Sequence, residues 1–311
     1  MEFIVDTDGK LFEISELIKE VSFSEKLNDG CSKLEFSYVE DELKIQNGSI
    51  VRFVYDDFKF FGRVFKHASN SKQEISVTAY DQLRYAKAKD SIVIENDTVT
   101  TLCNRMCNNF GFRTGKITDT KYQLKKSVKE DKTWLDIIYE AISDTLTNKG
   151  KWYSMRDEYG RVAIRDLEDL TLNLILGDKS LCYEFDYSKS IDDEFYNQIK
   201  LFVKGKEIKE SQMVVSRDIE SIDTYGFLQY YEKADENSNL SQAKAKADML
   251  LRLYNREAES LTLKCLGDKR IRAGNSFYAQ IGDIDMKQRL IVKNVTHSFL
   301  PVHTMSIEVC I

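Results

Sequence analysis

From Met1 to about residue 90, apolar and polar residues alternate in short runs, the pattern of half-buried β-strands. Phe3, Val5, Leu11 and Ile14 open the series, and Asn28-Asp29-Gly30 reads as a hairpin turn. A longer unit follows from Leu34 to Asp81. It has an alternating strand, a polar stretch ending at Gly48, a second strand, a polar hairpin, a long third strand and a final alternating strand. The same grammar returns from Leu261 to Ile311, with Gly274 in the place of Gly48. Leu34 to Gly48 spans fourteen residues and Leu261 to Gly274 thirteen, while His67 and His297 fall at matching places late in the third strand. Few residues are identical, so shared β-grammar without common descent is the alternative. If the repeat is real, three chains carry six similar β-modules. That arithmetic suits an adaptor between threefold and sixfold objects better than it suits an enzyme.

A helical period replaces the alternation in the middle of the chain. Asp97 or Thr98 caps a helix with Val99, Leu102, Met106 and Phe110 on its apolar face, stopped by Gly111. A second helix begins near Asp131, carries Trp134, Ile137, Ile138, Ala141, Ile142 and Leu146 on one face, and ends at Gly150. A hairpin follows at once, turning on Asp157-Glu158-Tyr159-Gly160. Strand pattern returns from Leu181 to Val215, and a third helix spans roughly Ser241 to Glu259 with the stripe Ala243, Ala247, Leu250, Leu251, Tyr254 and Ala258. The fold class expected is α+β, mainly β, with two β-barrel modules flanking a small α/β module. The domain limits expected are 1–90 for the first barrel, 91–178 for two helices and a hairpin, and 179–311 for the second β module with its one helix. No Pro- or Ser-rich linker separates them, which predicts rigid packing.

Composition narrows the function. With 311 residues, the chain is long enough for two or three proper cores. A formal net charge of −6 argues against a general nucleic-acid binder, which needs a concentrated basic surface. The start MEFIVDTDGK has no signal-peptide pattern, and no run approaches the roughly 18 apolar residues of a membrane span. Six scattered cysteines then read as reduced thiols in a cytoplasm.

The sequence carries no GxGxxG, GxxxxGK(S/T), GxSxG or HExxH motif. His297 and His303 flank a hairpin around Leu300-Pro301 and can face each other, but two imidazoles alone make a poor zinc site. Cys103 and Cys107 share a helix face without CxxC spacing and read as small core residues. Asp235, Asn237 and Asn239 imitate the start of an EF-hand loop, yet Leu240 and Lys246 stand where Gly and a bidentate Glu are needed. A helix cap explains them better. Asp192-Asp193-Glu194 reads as a polar loop, since adjacent strand residues point to opposite faces. No catalytic, cofactor-binding or metal residue is assigned, and no cofactor is expected.

The order of segments carries a resemblance. TAYDQLRYAKAKD is followed by EDKTWLDIIYEAISDTLTNKGKWYSMRDEYGRVAIRDLEDL, IDDEFYNQIKL, YGFLQYYEKADENSNLSQAKAKADMLLRLYN and LKCLGDKRIRAGNSFYAQI. From about Val21 to the C-terminus this succession resembles the XkdQ/YqbQ-type baseplate hub proteins of contractile phage tails and phage-tail-like bacteriocins, within the wider late control protein D-like hub family. The most specific pieces are Tyr196-Asn197-Gln198-Ile199, Gly226 to Tyr231, and Gly267-Asp268 with Ala273-Gly274. The resemblance implies tail-tube-like barrels and a homotrimer that joins the sixfold tail tube protein to the threefold central spike protein. It also implies contact with other baseplate components and a lumen for the tape-measure protein or DNA. It further implies assembly in the bacterial cytoplasm and residence in a virion or bacteriocin baseplate, with no specific nucleic acid and no direct membrane insertion. Two other readings stand beside it. One is a tail-associated cell-wall hydrolase, which would need a paired acid or a Cys/His constellation in a cleft. The other is a receptor- or glycan-binding β-module, with Trp134, Trp152 and sixteen tyrosines as stacking surfaces. Trp134 on an apolar helix stripe and Trp152 in the adjacent hairpin read more simply as one core.

Overall fold

The computed structural model describes residues 1–39, 43–70, 74–192, 194–205, 210–234 and 239–311. Asp193, Asp235 and Asn237, named above, lie outside them. The N-terminal alternation forms β1 (Glu2–Thr7), β2 (Lys10–Glu13), β3 (Ile18–Lys26), β4 (Lys33–Val39), β5 (Ile50–Tyr55), β6 (Phe58–Ser69) and β7 (Glu74–Tyr80). Asn28 and Gly30 take positive φ between β3 and β4, the turn chemistry that the sequence offers there. The strands bury their alternate residues, and Phe3, Phe23, Phe36, Phe53, Phe58 and Phe60 meet in one aromatic core.

Next come β8 (Lys89–Ile94), α1 (Val99–Phe110), β9 (Thr114–Ile117), β10 (Ser127–Thr133), α2 (Trp134–Lys149), β11 (Tyr153–Asp157) and β12 (Val162–Asp166). Thr98 caps α1 with a capping box, and Gly111 closes it at φ 66°. α2 starts three residues later than expected. Thr133 is its cap, accepting from the Asp136 N–H, and Asp131 belongs to β10. This region also holds more sheet than the expected helices and hairpin. β8 pairs with β10, and β9 joins β12 in parallel. Trp134 is 2% exposed within the core of α1, α2 and the hairpin, and half-buried Trp152 packs against the same core. The Trp134 indole N–H donates to Asp90 at 3.1 Å.

The chain continues through β13 (Thr171–Gly177) and β14 (Cys182–Ser190). Then follow β15 (Gln198–Val203), β16 (Gln212–Arg217), α3 (Ile219–Tyr225), β17 (Gln229–Lys233) and α4 (Leu240–Tyr254). Contacts divide the chain into two units, one of Met1–Asp186 with Leu261–Ile311 and one of Tyr187–Ser260. In the smaller, Ala243, Ala247 and Leu250 of α4 pack on Ile199, Leu201 and Val214 of a three-stranded sheet. α4 stops at Tyr254 because the next strand begins at Ala258. The short helix α3 was not expected. Its seven residues include none that is buried, so it leaves no amphipathic signal.

The last strands are β18 (Ala258–Leu266), β19 (Ser276–Ile281), β20 (Met286–Ser298) and β21 (Thr304–Cys310). Thirteen strands form one sheet, ordered β14-β18-β21-β20-β3-β4-β7-β6-β5-β1-β2, with β19 on β20 and β13 on β19. Two barrels were expected. Among the described residues none of the sheets closes on itself. The physical reason is at β3, which pairs with β4 on one side and with β20 on the other, so hydrogen bonding runs from one repeat into the next. The fold is mainly β with helices, as expected, but open.

Candidate assembly surface

The two repeats are the same object in register. In the first, β4 pairs β7, β7 pairs β6, and β6 pairs β5. In the second, β18 pairs β21, β21 pairs β20, and β20 pairs β19. Phe36 lies opposite Val77, as Leu263 lies opposite Ile307. Ile50 opposes Arg63 as Ser276 opposes Ile291.

Local irregularities match as well. A register shift between Val64 and Lys66 recurs between Val292 and Asn294, a bulge at one place in both long strands. Beside it, the Gly48 N–H donates to the Val64 carbonyl at 2.8 Å and the Gly274 N–H to the Val292 carbonyl at 2.9 Å. The Gln46 N–H donates to Ser49 Oγ at 3.1 Å, and the Arg272 N–H to Asn275 Oδ1 at 2.9 Å. Gly48 and Gly274 hold φ at +93° and +86°, where a side chain is strained, which is why both turns need glycine. One expectation fails. With Val64 matched to Val292, His67 corresponds to Val295 and His297 to Ser69, so the two histidines are not counterparts.

Within the larger unit the repeats join through β3 and β20, antiparallel from Ser22↔Ser298 to Lys26↔Asn294. The Leu27 N–H donates to the Lys293 carbonyl and the Phe299 N–H to the Val21 carbonyl. Phe299 enters the aromatic core of the first repeat, its ring 5.0 Å from Phe53 and 5.1 Å from Phe58. Above the junction, Arg272 donates to both carboxylate oxygens of Glu25 and to the Asp157 carbonyl, and Glu25 also accepts from the Ala273 N–H. Glu25 is 5% exposed. Burial raises the Asp157 carboxyl to about 6, and burial together with the Asp157 charge raises Asp81 to about 8.

His297 and His303 do face each other, Nδ1 to Nε2 at 2.9 Å, and His297 Nε2 contacts the Ile271 carbonyl at 2.8 Å. Burial lowers the His297 pKa to about 4. Phe299 stacks on His303 with centroids 4.7 Å apart. The pair is thus a piece of the junction core. Cys103 and Cys107 are buried in the core of α1 and α2. Among the described residues, no group of three or more His, Cys, Asp or Glu is placed to hold a metal ion, and no helix is long and apolar enough to cross a membrane.

A cleft of about 770 Å³ elsewhere in the larger unit gathers Arg52, Arg63, Arg113 and Arg161 around Phe61 and Tyr159. It presents guanidinium groups beside aromatic faces, with no carboxylate or imidazole among its lining residues. Sequence reading missed it because its arginines are scattered over more than a hundred residues.

Comparison with known proteins adds the lineage. The YQBQ-like family model matches residues 21–310. The chain belongs to the YQBQ-like family. It is 25% identical to YqbQ of Bacillus subtilis over 269 residues, covering 85% of this chain and 82% of that protein. It is 24% identical, with the same coverage, to the phage-like element PBSX protein XkdQ of the same organism. Among solved structures, the 43 kDa tail protein of prophage MuSo2 from Shewanella oneidensis covers 100% of this member with 98% of its own chain, at TM-score 0.72 and 10% identity. That likeness is one of fold.

Proposed function

We propose that this YQBQ-like protein is a structural component of a phage-type tail baseplate. More finely, it is a trimeric hub that joins the sixfold tail tube to the threefold central spike. The observation that carries the reading is the duplication, with two four-stranded units of identical pairing, bulge and glycine turn in one chain. Two such units per chain give six around an axis only when three chains assemble, and a head-to-tail interface closes a ring when each chain is rotated by a third of a turn. The relative named XkdQ belongs to a phage-like element, and the structural relative is a prophage tail protein, in keeping with that role. The protein acts without catalysis and without a cofactor, surrounded by tube, spike and other baseplate components, with the tape-measure protein in the lumen. The reading places it in the virion or bacteriocin baseplate, after assembly in the bacterial cytoplasm.

The test is copy number and symmetry in intact particles, by imaging or quantitative mass spectrometry. Three copies on the tail axis are expected. Six copies, or a peripheral position, would exclude the hub.

A further inference from the structure

The register of the repeats identifies two strand edges that the chain leaves complementary and unused. The β3–β20 junction joins one kind of edge, the strand preceding the first repeat, to another, the far half of the long third strand of the second. Each repeat carries both kinds. β3 flanks β4 as β14 flanks β18, and β6 is the counterpart of β20. The internal junction therefore consumes β3 and β20 and leaves β14 and the far half of β6.

Both remaining edges are open among the described residues. β14 ends the order of the thirteen-stranded sheet. β5 pairs with β6 from Phe58 to Arg63 and the turn at Gly48 and Ser49 bonds Val64, so that among the described residues no strand pairs with β6 beyond the bulge on that side. Burial shows the difference between occupied and vacant edges. In β20, Val295 and His297 are buried under the junction, whereas Lys66, His67, Ala68 and Ser69 of β6 are all exposed. In β3, Val21, Phe23 and Glu25 are buried, whereas β14 has no fully buried residue. Vacant edges of this length invite pairing with another chain.

We propose that β14 of one copy pairs antiparallel with residues 66–69 of β6 in a second copy, repeating between chains the β3–β20 junction found within one. The inference rests on the trimeric-hub reading and supplies its interface. The register follows from the match. Ser24 opposes Thr296 in the internal junction. Thr296 corresponds to Ala68 through the shared bulge. Ser24 opposes Lys33, the counterpart of Ser260, and the Ser260 hydroxyl meets that of Ser188 at 2.7 Å. Ala68 of one copy thus lies opposite Ser188 of the next. Because the two edges differ, the contact is head-to-tail and propagates around a ring.

Directly opposed Cα atoms in an antiparallel pair lie about 4.5–5.5 Å apart, within the span of a disulfide. The full-length chain carrying both Ala68→Cys and Ser188→Cys is produced with its tail partners, oxidised and separated under denaturing, non-reducing conditions. A covalently closed trimer linked through the two introduced thiols is expected. Each single variant and the off-register pair Ala68→Cys with Glu184→Cys should stay unlinked. Particles holding three copies with no such link, or with equal linkage in the off-register pair, would overturn the edge pairing and leave the trimer standing. Specific links in an open ladder longer than three would keep the pairing and remove the trimer. If the variants do not assemble, zero-length carbodiimide coupling of Lys66 to Asp192 between isotopically mixed chains in native particles decides instead. Its presence supports the pairing and its absence overturns it.

Discussion

Substituting Arg272 with methionine should test what fixes the second repeat's turn onto the first repeat. The change preserves much of the apolar stem and removes the guanidinium's bonds to both Glu25 oxygens and to the Asp157 carbonyl. Glu25 is left as a buried carboxylate with the Ala273 N–H as its remaining partner in this cluster. At contact distance, and at the effective dielectric suited to protein sites, such a pair attracts by about 4 kcal/mol. Breaking a buried pair by removing one member costs about 3–5 kcal/mol. The Arg272→Met variant should therefore lose stability in that range, and Glu25→Leu should lose a similar amount. The double variant should lose clearly less than their sum, because neither charge is stranded, although the Ala273 N–H and the Asp157 carbonyl become unpaired at about 1–3 kcal/mol each. Urea unfolding followed by tryptophan fluorescence is a suitable assay, since Trp134 and Trp152 both lie in the larger unit and report its unfolding. A single-variant loss below about 1 kcal/mol, or a cycle additive within about 0.5 kcal/mol, would refute the reasoning.

Trp134→Ala should cost about 3–5 kcal/mol by emptying a 2%-exposed core site, read from the shift in urea midpoint, and a loss under 1 kcal/mol would contradict that burial. His297 binds its proton less readily folded than unfolded, so its contribution is complete above about pH 6.5 and is lost as pH falls toward 4. That window carries up to about 3 kcal/mol, while the raised Asp81 and Asp157 carboxyls act with the opposite sign, so the expected result is a flatter acid limb in His297→Gln than in the parent. Parallel acid limbs would dismiss the buried neutral imidazole. Gly48→Ala and Gly274→Ala should each cost about 1–2 kcal/mol from positive φ, with Gly274→Ala the worse because its Cβ would meet Ser154 at 3.2 Å where Gly48 faces open space. Equal melting temperatures of variant and parent would count against the turn geometry.

Much of the β architecture was legible because alternation, glycine turns and helix caps are local signals. The turn at Asn28-Asp29-Gly30, a cap at Asp97 or Thr98, the stop at Gly111 and the matched strands of the repeats could all be read one residue at a time. What could not be read depends on long-range pairing. The parallel partner of β12, the unexpectedly early end of α4 and the path of β3 between two repeats are decided by neighbours distant in sequence. The barrel expectation failed for that reason, since four strands of barrel grammar do not say whether the edge returns to its own repeat or passes to the next. The histidine match failed at the same level. Both residues sit late in a long strand, and only the shared bulge shows that they are two positions out of register. The candidate assembly edges carry no motif, since an open edge is defined by what it lacks.

The two junctions, one within the chain and one proposed between chains, differ in chemistry in a way that bears on assembly. Within the chain, β20 sets Val295 and His297 across from β3 and the next residue, Phe299, enters the aromatic core of the first repeat, and burial of an aromatic side chain is worth on the order of 2 kcal/mol before hydrogen bonds are counted. At the open edge, the counterparts of Val295 and His297 are His67 and Ser69, and the counterpart of Phe299 is Ser71, which lies outside the described residues. Across from them, Tyr187 and Lys189 stand where β3 has Phe23 and Glu25. The edge between chains thus offers backbone hydrogen bonds with little apolar burial, and net hydrogen bonds contribute only about 1 kcal/mol each. Association must also offset the loss of translational and rotational freedom, a cost that the internal junction does not bear. If the proposed pairing holds, a chain built this way folds its own two repeats firmly and meets its neighbours weakly. On the proposed trimeric-hub reading, the ring closes where a threefold partner holds the copies together, and a weak edge keeps free chains from linking edge to edge into filaments before that partner is present.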